Sequence, residues 1–320
     1  MPSAGRTAAE SKTKGSGLVL VFLLVWALAG CSAMKKTAEA VAETSSDVAD
    51  WVLPGGRPDL RQTVALIGVE SSLPSVQAGF ADHFRQELPG FLKKDCAEAV
   101  IDESAAVVVK TPPRLPSGLL DGYTLAGLGR QRGVNFFLIG TLVDVRVKDE
   151  LKGFWLWKDT RYSIQTVVRL ELVDSATGAK ILDDTSRTET EIDSLKYEEI
   201  EQSKNIPLAD LTSAVTTLFR KGGKLVCAAM HSLPWQGFVV AVERDRITLS
   251  SGSRAGLAAG RTLEVFSIGP VFTSKDGQRF LSVGEKVGEA TLTTVAEDRA
   301  EAAFAGGERV KEGGTVQVKK

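Results

Sequence analysis

Histidine is scarce in these 320 residues, with only two, and cysteine, methionine and tyrosine occur three times each. Neither sign of charge is in excess, because 39 Lys and Arg stand against 40 Asp and Glu. Without a basic surplus there is little to neutralise a phosphate backbone, which argues against a nucleic-acid partner. His83 lies beside an apolar stripe and His231 near a helix end, and neither belongs to a triplet of ligands at metal-binding spacing, so both read as structural. A Gly-x-Ser-x-Gly nucleophile elbow is absent. The Gly-rich stretches GLGRQRG and GSRAGLAAG lack the Gly-Lys-Ser/Thr ending of a phosphate loop and do not join a strand to a helix, so they read as turns and caps. These absences predict a protein without catalytic residues, metal, cofactor or evident small-molecule substrate. The 43% apolar and 25% charged content is that of folded modules, and the length allows two.

Long apolar runs are also missing, with one short exception. Arg6, Lys12 and Lys14 precede the apolar stretch from Gly17 to Ala29, which is well short of the roughly 20 residues of a membrane span. It reads as a cleaved signal over residues 1–30. The closing Leu28-Ala29-Gly30-Cys31 resembles the lipobox of bacterial lipoproteins. That resemblance implies a thioether-linked diacylglycerol on Cys31, cleavage before it and acylation of the new amino terminus. Ser32, rather than Asp, fits the outer-membrane sorting pattern, so the expected location is the periplasmic side of the outer membrane, held by acyl chains beyond the two-signal threshold. Removing Arg6, Lys12, Lys14 and Glu10 leaves 36 basic and 39 acidic residues, a net charge of −3. With Cys31 lipidated, Cys96 and Cys227 remain. Either they form a disulfide, closing a loop of about 130 residues in an oxidising compartment, or they are two buried thiols.

Residues 31–61, with KKTAEAVAETSSDVADWV ended by Pro54-Gly55-Gly56, read as a partly helical tether. Residues 62–232 read as an α/β domain. TVALIGV is a buried strand, and Val76, Phe80, Phe84 and Leu88 mark a helix stopped by Pro89-Gly90. A strand over 105–109, a helix over 119–132 capped by Gly133, and the strand FFLIGTLVDVRV complete a parallel element. Period-two alternation then predicts an antiparallel meander through Tyr162 to Leu172, the turn Asp174 to Gly178 and a strand over 180–188. The acidic stretch Glu189 to Glu201 reads as a solvated loop. Pro207 opens a covering helix that ends near Gly222-Gly223 or shortly after Cys227. Residues 233–320, with short β-rich runs and the Asp276-Gly277 hairpin signal, read as a small barrel. The expected class is α+β: a mixed sheet with crossover helices, then a β-barrel.

Two stretches, VNFFLIGTL (134–142) and LVDSATGAKIL (172–182), are similar to signatures of the curli-assembly lipoprotein family. The same layout is shared by the amino-terminal domain of TolB, the peptidoglycan-synthase activator lipoproteins and the middle domain of the flagellar assembly protein FlgT. GSRAGLAAGRTLEVF and KVGEATLTTVAEDRAEAAF resemble the SH3-like final domain of FlgT, while residues 32–60 are too short to supply that family's additional amino-terminal domain. The resemblance implies a non-catalytic interaction or assembly factor for an envelope complex, with a curli-like secretion channel component and an activator of a peptidoglycan synthase as alternatives.

The segment KGFWLWKDTRY (152–162) crowds Phe154, Trp155 and Trp157 into a chain with 7% aromatics. A membrane-spanning strand needs about 9 to 11 residues with a continuous apolar outer face. Here the apolar core runs only from Phe154 to Trp157, between Lys152 and Lys158. In an extended run Phe154 and Leu156 point opposite to Trp155 and Trp157, so one packing surface cannot bury all four. The three aromatics are therefore the expected contact with an envelope protein partner or with the second domain, at the tip of a hairpin.

Overall fold

A computed structural model describes residues 60–70, 73, 76, 78–102, 109, 111–154, 157–305 and 310–319. The signal segment, Cys31, the tether as far as residue 59 and Trp155 lie outside the described residues, while Leu60 and Arg61, expected in the tether, pack on the barrel. Residues Asp59–Lys320 form one compact unit.

The first half is a five-stranded mixed sheet in the order β2-β1-β3-β4-β5. β1 (Gln62–Val69) pairs in parallel with β2 (Ala99–Ile101) and with β3 (Phe136–Phe154). β4 (Trp157–Asp174) and β5 (Lys180–Ile192) continue it antiparallel. The continuous apolar runs of β1 and of the first half of β3 are explained by helices on both faces. On one face α1 (Phe80–Asp95) and the later α4 (Leu208–His231) bury Phe80, Phe84, Leu88, Leu218 and Phe219 against Leu66, Leu138 and Leu170. On the other, α2 (Gly122–Arg132) covers Ala65, Ile67, Phe137 and Ile139 with Leu125. It ends at Gly133, whose φ of 75° is the left-handed conformation of a helix C-cap.

Several boundaries differ from those read in the sequence. Pro89 does not stop α1, which continues to Asp95. Leu92 lies one turn beyond Leu88 on the same stripe and is fully buried, so packing outweighs the hydrogen bond that proline removes. The strand after α1 is Ala99–Ile101, ahead of the expected 105–109, most of which falls outside the described residues. The acidic stretch is not a loop. β5 runs on to Ile192, and α3 (Ser194–Ser203) follows, with the Asp193 carboxylate accepting from the Lys196 amide at 2.7 Å. Burial of Ile200 and a Tyr162–Tyr197 ring contact at 4.5 Å hold that helix to the sheet. Of the two ends expected for α4 the later one holds, since the helix passes through Gly222 and Gly223 and stops at His231, shortly after Cys227. A Cβ on Gly222 would come within 2.1 Å of the Leu170 side chain, so this glycine allows close helix-on-sheet approach and is not a stop.

The second half is a closed ring of six antiparallel strands, β10-β7-β6-β11-β8-β9. These are β6 (Gln236–Glu243), β7 (Arg246–Leu249), β8 (Thr262–Thr273), β9 (Arg279–Val295), β10 (Ala300–Phe304) and β11 (Thr315–Val318). Val239, Leu249, Leu263, Val265, Leu292, Phe304 and Val316 fill its core. Closure removes the free edges that strands this short would otherwise present.

Cys96, just past α1, and Cys227, in the last turns of α4, are joined in a disulfide with Cα atoms 5.5 Å apart and a sequence separation of 131. The link ties together the two helices that cover one face of the sheet. Closing so long a loop restricts the unfolded chain by about 4 to 5 kcal/mol on a chain-entropy basis. Cys96→Ala with Cys227→Ala should therefore lower the urea unfolding free energy by about 4 kcal/mol and raise the m-value, since an unlinked unfolded chain exposes more surface. A loss below about 1 kcal/mol would show that loop closure is not what the link contributes.

Candidate interaction surface

The stretches VNFFLIGTL (134–142) and LVDSATGAKIL (172–182) meet where sheet and barrel join. In LVDSATGAKIL, Asp174 organises the turn between β4 and β5. Its carboxylate accepts from the amides of Ala176 (3.0 Å) and Thr177 (3.1 Å) and from the Thr177 hydroxyl (2.6 Å). Burial pushes this carboxyl above its ordinary range, against the pull of those donors. The turn lies on the first residue of α2, where a Cβ on Gly122 would meet the Gly178 carbonyl at 2.0 Å. From the last turn of the same helix, the buried Arg130 guanidinium donates to the carbonyls of Ser175 and Ala176 on that turn and of Gly313 in the barrel. Burial draws the Arg130 pKa down, while nearby Asp174 works against that shift. In VNFFLIGTL, Asn135 accepts from the Thr63 amide at 2.8 Å and donates to the Gln236 carbonyl of β6. The Leu281 amide of β9 donates to Thr177 at 2.8 Å, and the Arg279 guanidinium stacks 4.1 Å from the Tyr123 ring centroid. These signatures therefore act as structural joints between sheet and barrel.

At the opposite end of β4 the sheet narrows to an arm. β5 pairs with β4 only as far as Tyr162↔Ile192. Past that point, among the described residues, β3 and β4 continue alone through Glu150↔Arg161, Leu151↔Thr160, Lys152↔Asp159, Gly153↔Lys158 and Phe154↔Trp157. At about 3.3 Å per residue the two-stranded part reaches roughly 17 Å past the last β5 pair. Leu151 is 72% exposed and Phe154 85% exposed. Phe154 and Trp157 are Cα partners, so the chain reverses between them and the alternation expected of one extended run does not apply. Trp155 lies outside the described residues. A second two-stranded arm, Ile268–Thr273 with Arg279–Val283, leaves the barrel and exposes Val271 and Phe272. It turns at Gly277, where φ is 85°.

The uncovered face of β4 and β5 carries a four-membered ion network. Arg169 grips Asp183 through two bonds of 2.7 and 2.6 Å, and Lys180 reaches both Asp183 and Glu171. Bonding to Arg169 holds Asp183 at about 2. His231 pairs with Glu98 at 2.6 Å, and the His83 ring lies against Phe219. Among the described residues no three His, Cys, Asp or Glu groups cluster as metal ligands, and no helix is long and apolar enough to cross a membrane. Sequence reading passed over Arg130, hidden inside GLGRQRG. The available signal was a lone arginine on the apolar side of α2, next to Gly129 and Ala126. Leu151 and Phe272 were passed over as well, because nothing local marks an apolar strand residue as the one left uncovered.

Arg130→Ala should cost about 3 kcal/mol in global stability, since two buried carbonyls and a half-buried one lose a charged donor. Arg130→Lys should rescue little of that loss, because an ammonium cannot reproduce the planar fork. Faster amide exchange at Leu281 would report the loosened joint, and exchange unchanged in both variants would refute it. Asp183 has a folded pKa below its unfolded value, so its stabilising effect is complete above the ordinary 3.8 and is lost as pH falls through about 2. Asp183→Asn should flatten the fall in stability between those two pH values in acid-titrated thermal unfolding, and an unaltered slope would exclude the pairing.

No family model and no curated protein matches this chain. Among solved structures it is similar to a minor lipoprotein of Acinetobacter baumannii, at 11% identity and TM-score 0.28 over 53% of this chain and 94% of that one. The protein CT253 of Chlamydia trachomatis matches at 12% identity and TM-score 0.31 over 53% and 96%. Lipoprotein GNA1162 of Neisseria meningitidis matches at 12% identity and TM-score 0.24 over 44% and 94%. Likenesses this faint establish neither family nor function.

Proposed function

We propose that this chain is a lipid-anchored, non-catalytic interaction protein of a bacterial cell envelope, facing the periplasm from the outer membrane. The observation that carries the reading is the β3–β4 arm: Leu151 and Phe154 stand uncovered on a protruding ladder whose base is locked into a fully packed sheet. Apolar groups held away from any core of their own favour burial against another molecule, and a rigid base lowers the ordering cost of that step. Leu28 to Cys31 supports acylation at Cys31, and Ser32 supports sorting to the outer membrane. The sheet-and-barrel order, with the VNFFLIGTL and LVDSATGAKIL stretches at its joints, supports kinship with the curli-assembly, TolB and FlgT proteins and an SH3-like reading of the barrel. The role is then assembly or docking within an envelope complex of the flagellar or a related type.

A photoreactive residue at Phe154 in living cells should capture one envelope protein, and the same group at exposed Leu195 should capture none. Equal capture at both positions, or none at 154, would sink the reading. Cys31→Ala should shift the chain from the membrane pellet to the soluble fraction, and unchanged pelleting would rule out acylation as the anchor.

A further inference from the structure

The charge of the chain nearly cancels overall, yet it is unevenly placed. The end of α1 with the residues just after it, and the second half of α4, carry Lys93, Lys94, Arg220, Lys221 and Lys224 against two carboxylates, Asp95 and Glu98. Glu98 is engaged by His231, and Asp95 is half-buried beside Gly223. All five cations are exposed. The pairs Arg85–Asp82 and Arg254–Asp298 do not involve them, and among the described residues none of the five has a carboxylate partner. The two helices lie side by side here. A Cβ on Gly223 would sit 3.4 Å from Phe91 of α1, and the Arg220 guanidinium lies 5.8 Å from the centroid of the same ring. The five charges therefore share one outer surface, with partly exposed Leu225 among them.

That surface adjoins the point where the chain runs back toward Cys31. The Gln62 amide, at the start of β1, bonds to the Glu98 carbonyl, and Arg61 lines an open cleft with Lys93, the β2 residues and Asp102. Leu60 follows Cys31 by 29 positions, at most roughly 100 Å of chain, so an anchor at Cys31 holds the folded unit near a bilayer without deciding which side meets it. Uncompensated charge does decide it. α1 returns against the direction of β1, so Lys93 and Lys94 stand at the end of the sheet where β1 and β3 begin, opposite the Phe154 tip. We propose that Lys93, Lys94, Arg220, Lys221 and Lys224 form a docking face for anionic phospholipid headgroups, a second membrane signal beside the acyl anchor. Four of the five are lysines, hydrated point charges that need no fixed acceptor geometry, and they are spread along two helices rather than gathered round one pocket. With this face on the bilayer, the β3–β4 arm points away from it. The inference rests on reading the chain as lipid-anchored and deepens it by naming the side that meets the membrane.

The test takes the full-length chain as bacterial cells produce it, reconstituted in vesicles of phosphatidylcholine alone or with about one quarter phosphatidylglycerol, and follows lysine labelling by an amine-reactive ester. Labelling of Lys93, Lys94, Lys221 and Lys224 should slow about threefold on the anionic vesicles and recover in about 0.5 M sodium chloride. Lys204, whose side chain is 73% exposed at the end of α3, should label at the same rate on both. Lys221→Glu with Lys224→Glu changes only exposed positions and should abolish the slowing at Lys93 and Lys94. Equal slowing on neutral vesicles, or slowing of Lys204 with the rest, would overturn the proposal. Slowing seen in native membranes but lost on protein-free anionic vesicles would assign the face to an acidic protein and overturn it as well. A chain that floats with neither vesicle refutes the acyl anchor and this inference with it, whereas one that floats with unaltered labelling keeps the anchor and loses the face.

Discussion

The buried guanidinium of Arg130 holds the two halves of the molecule in one arrangement. A charge withdrawn from water must be repaid by close, directed partners, and Arg130 has three carbonyls, two on the β4–β5 turn and one in the barrel. Its five donors in a planar fork can serve separate segments at once, which a lysine cannot do. Asp174 shapes the turn that supplies two of those carbonyls, and its own burial is tolerated because three donors converge on it. Asn135, five residues further along the chain, repeats the arrangement, binding β1 on one side and β6 on the other. The joint is polar and buried, so it sets a geometry as well as contributing stability.

That rigidity gives the β3–β4 arm its meaning. A two-stranded ladder in water is marginally stable alone, yet this one grows out of a five-stranded sheet whose far end is covered by helices on both faces. The arm is thus positioned by the core while its far end contributes nothing to the core. Uncovered apolar groups on such an element are an energetic cost to the isolated chain that burial against a partner would recover. The disulfide between Cys96 and Cys227 clamps α1 to α4 on one face of the same sheet.

Much of this was legible in the residues. The apolar run of β1, the stripe on α4, the Gly133 cap and the Asp276-Gly277 turn each follow from a local rule that the tertiary structure leaves intact. The misreadings came where a long-range contact overrode a local signal. Pro89 and the Gly222-Gly223 pair carry stop signals, but Leu92 and Leu170 make continuation the better-packed solution. The acidic Glu189–Glu201 stretch reads as solvated because only Ile200 within it is fully buried, and one residue leaves no periodicity to detect. Arg130 was invisible for a different reason: on a helix surface an arginine is ordinarily solvated, and only the arrival of the turn and of the barrel around it makes it buried.

What the sequence determined by itself is the class of most elements, because helix periods, strand alternation and turn glycines are all encoded within a few residues of one another. The tertiary structure alone decided which cysteine meets which, which arginine is buried and which apolar residues are left in solvent. Those are properties of pairs of residues 45 to 183 positions apart, such as Arg130 with Ser175 and Gly313 and Cys96 with Cys227, and no local rule ties residues at that distance until the sheet and the barrel have closed on each other.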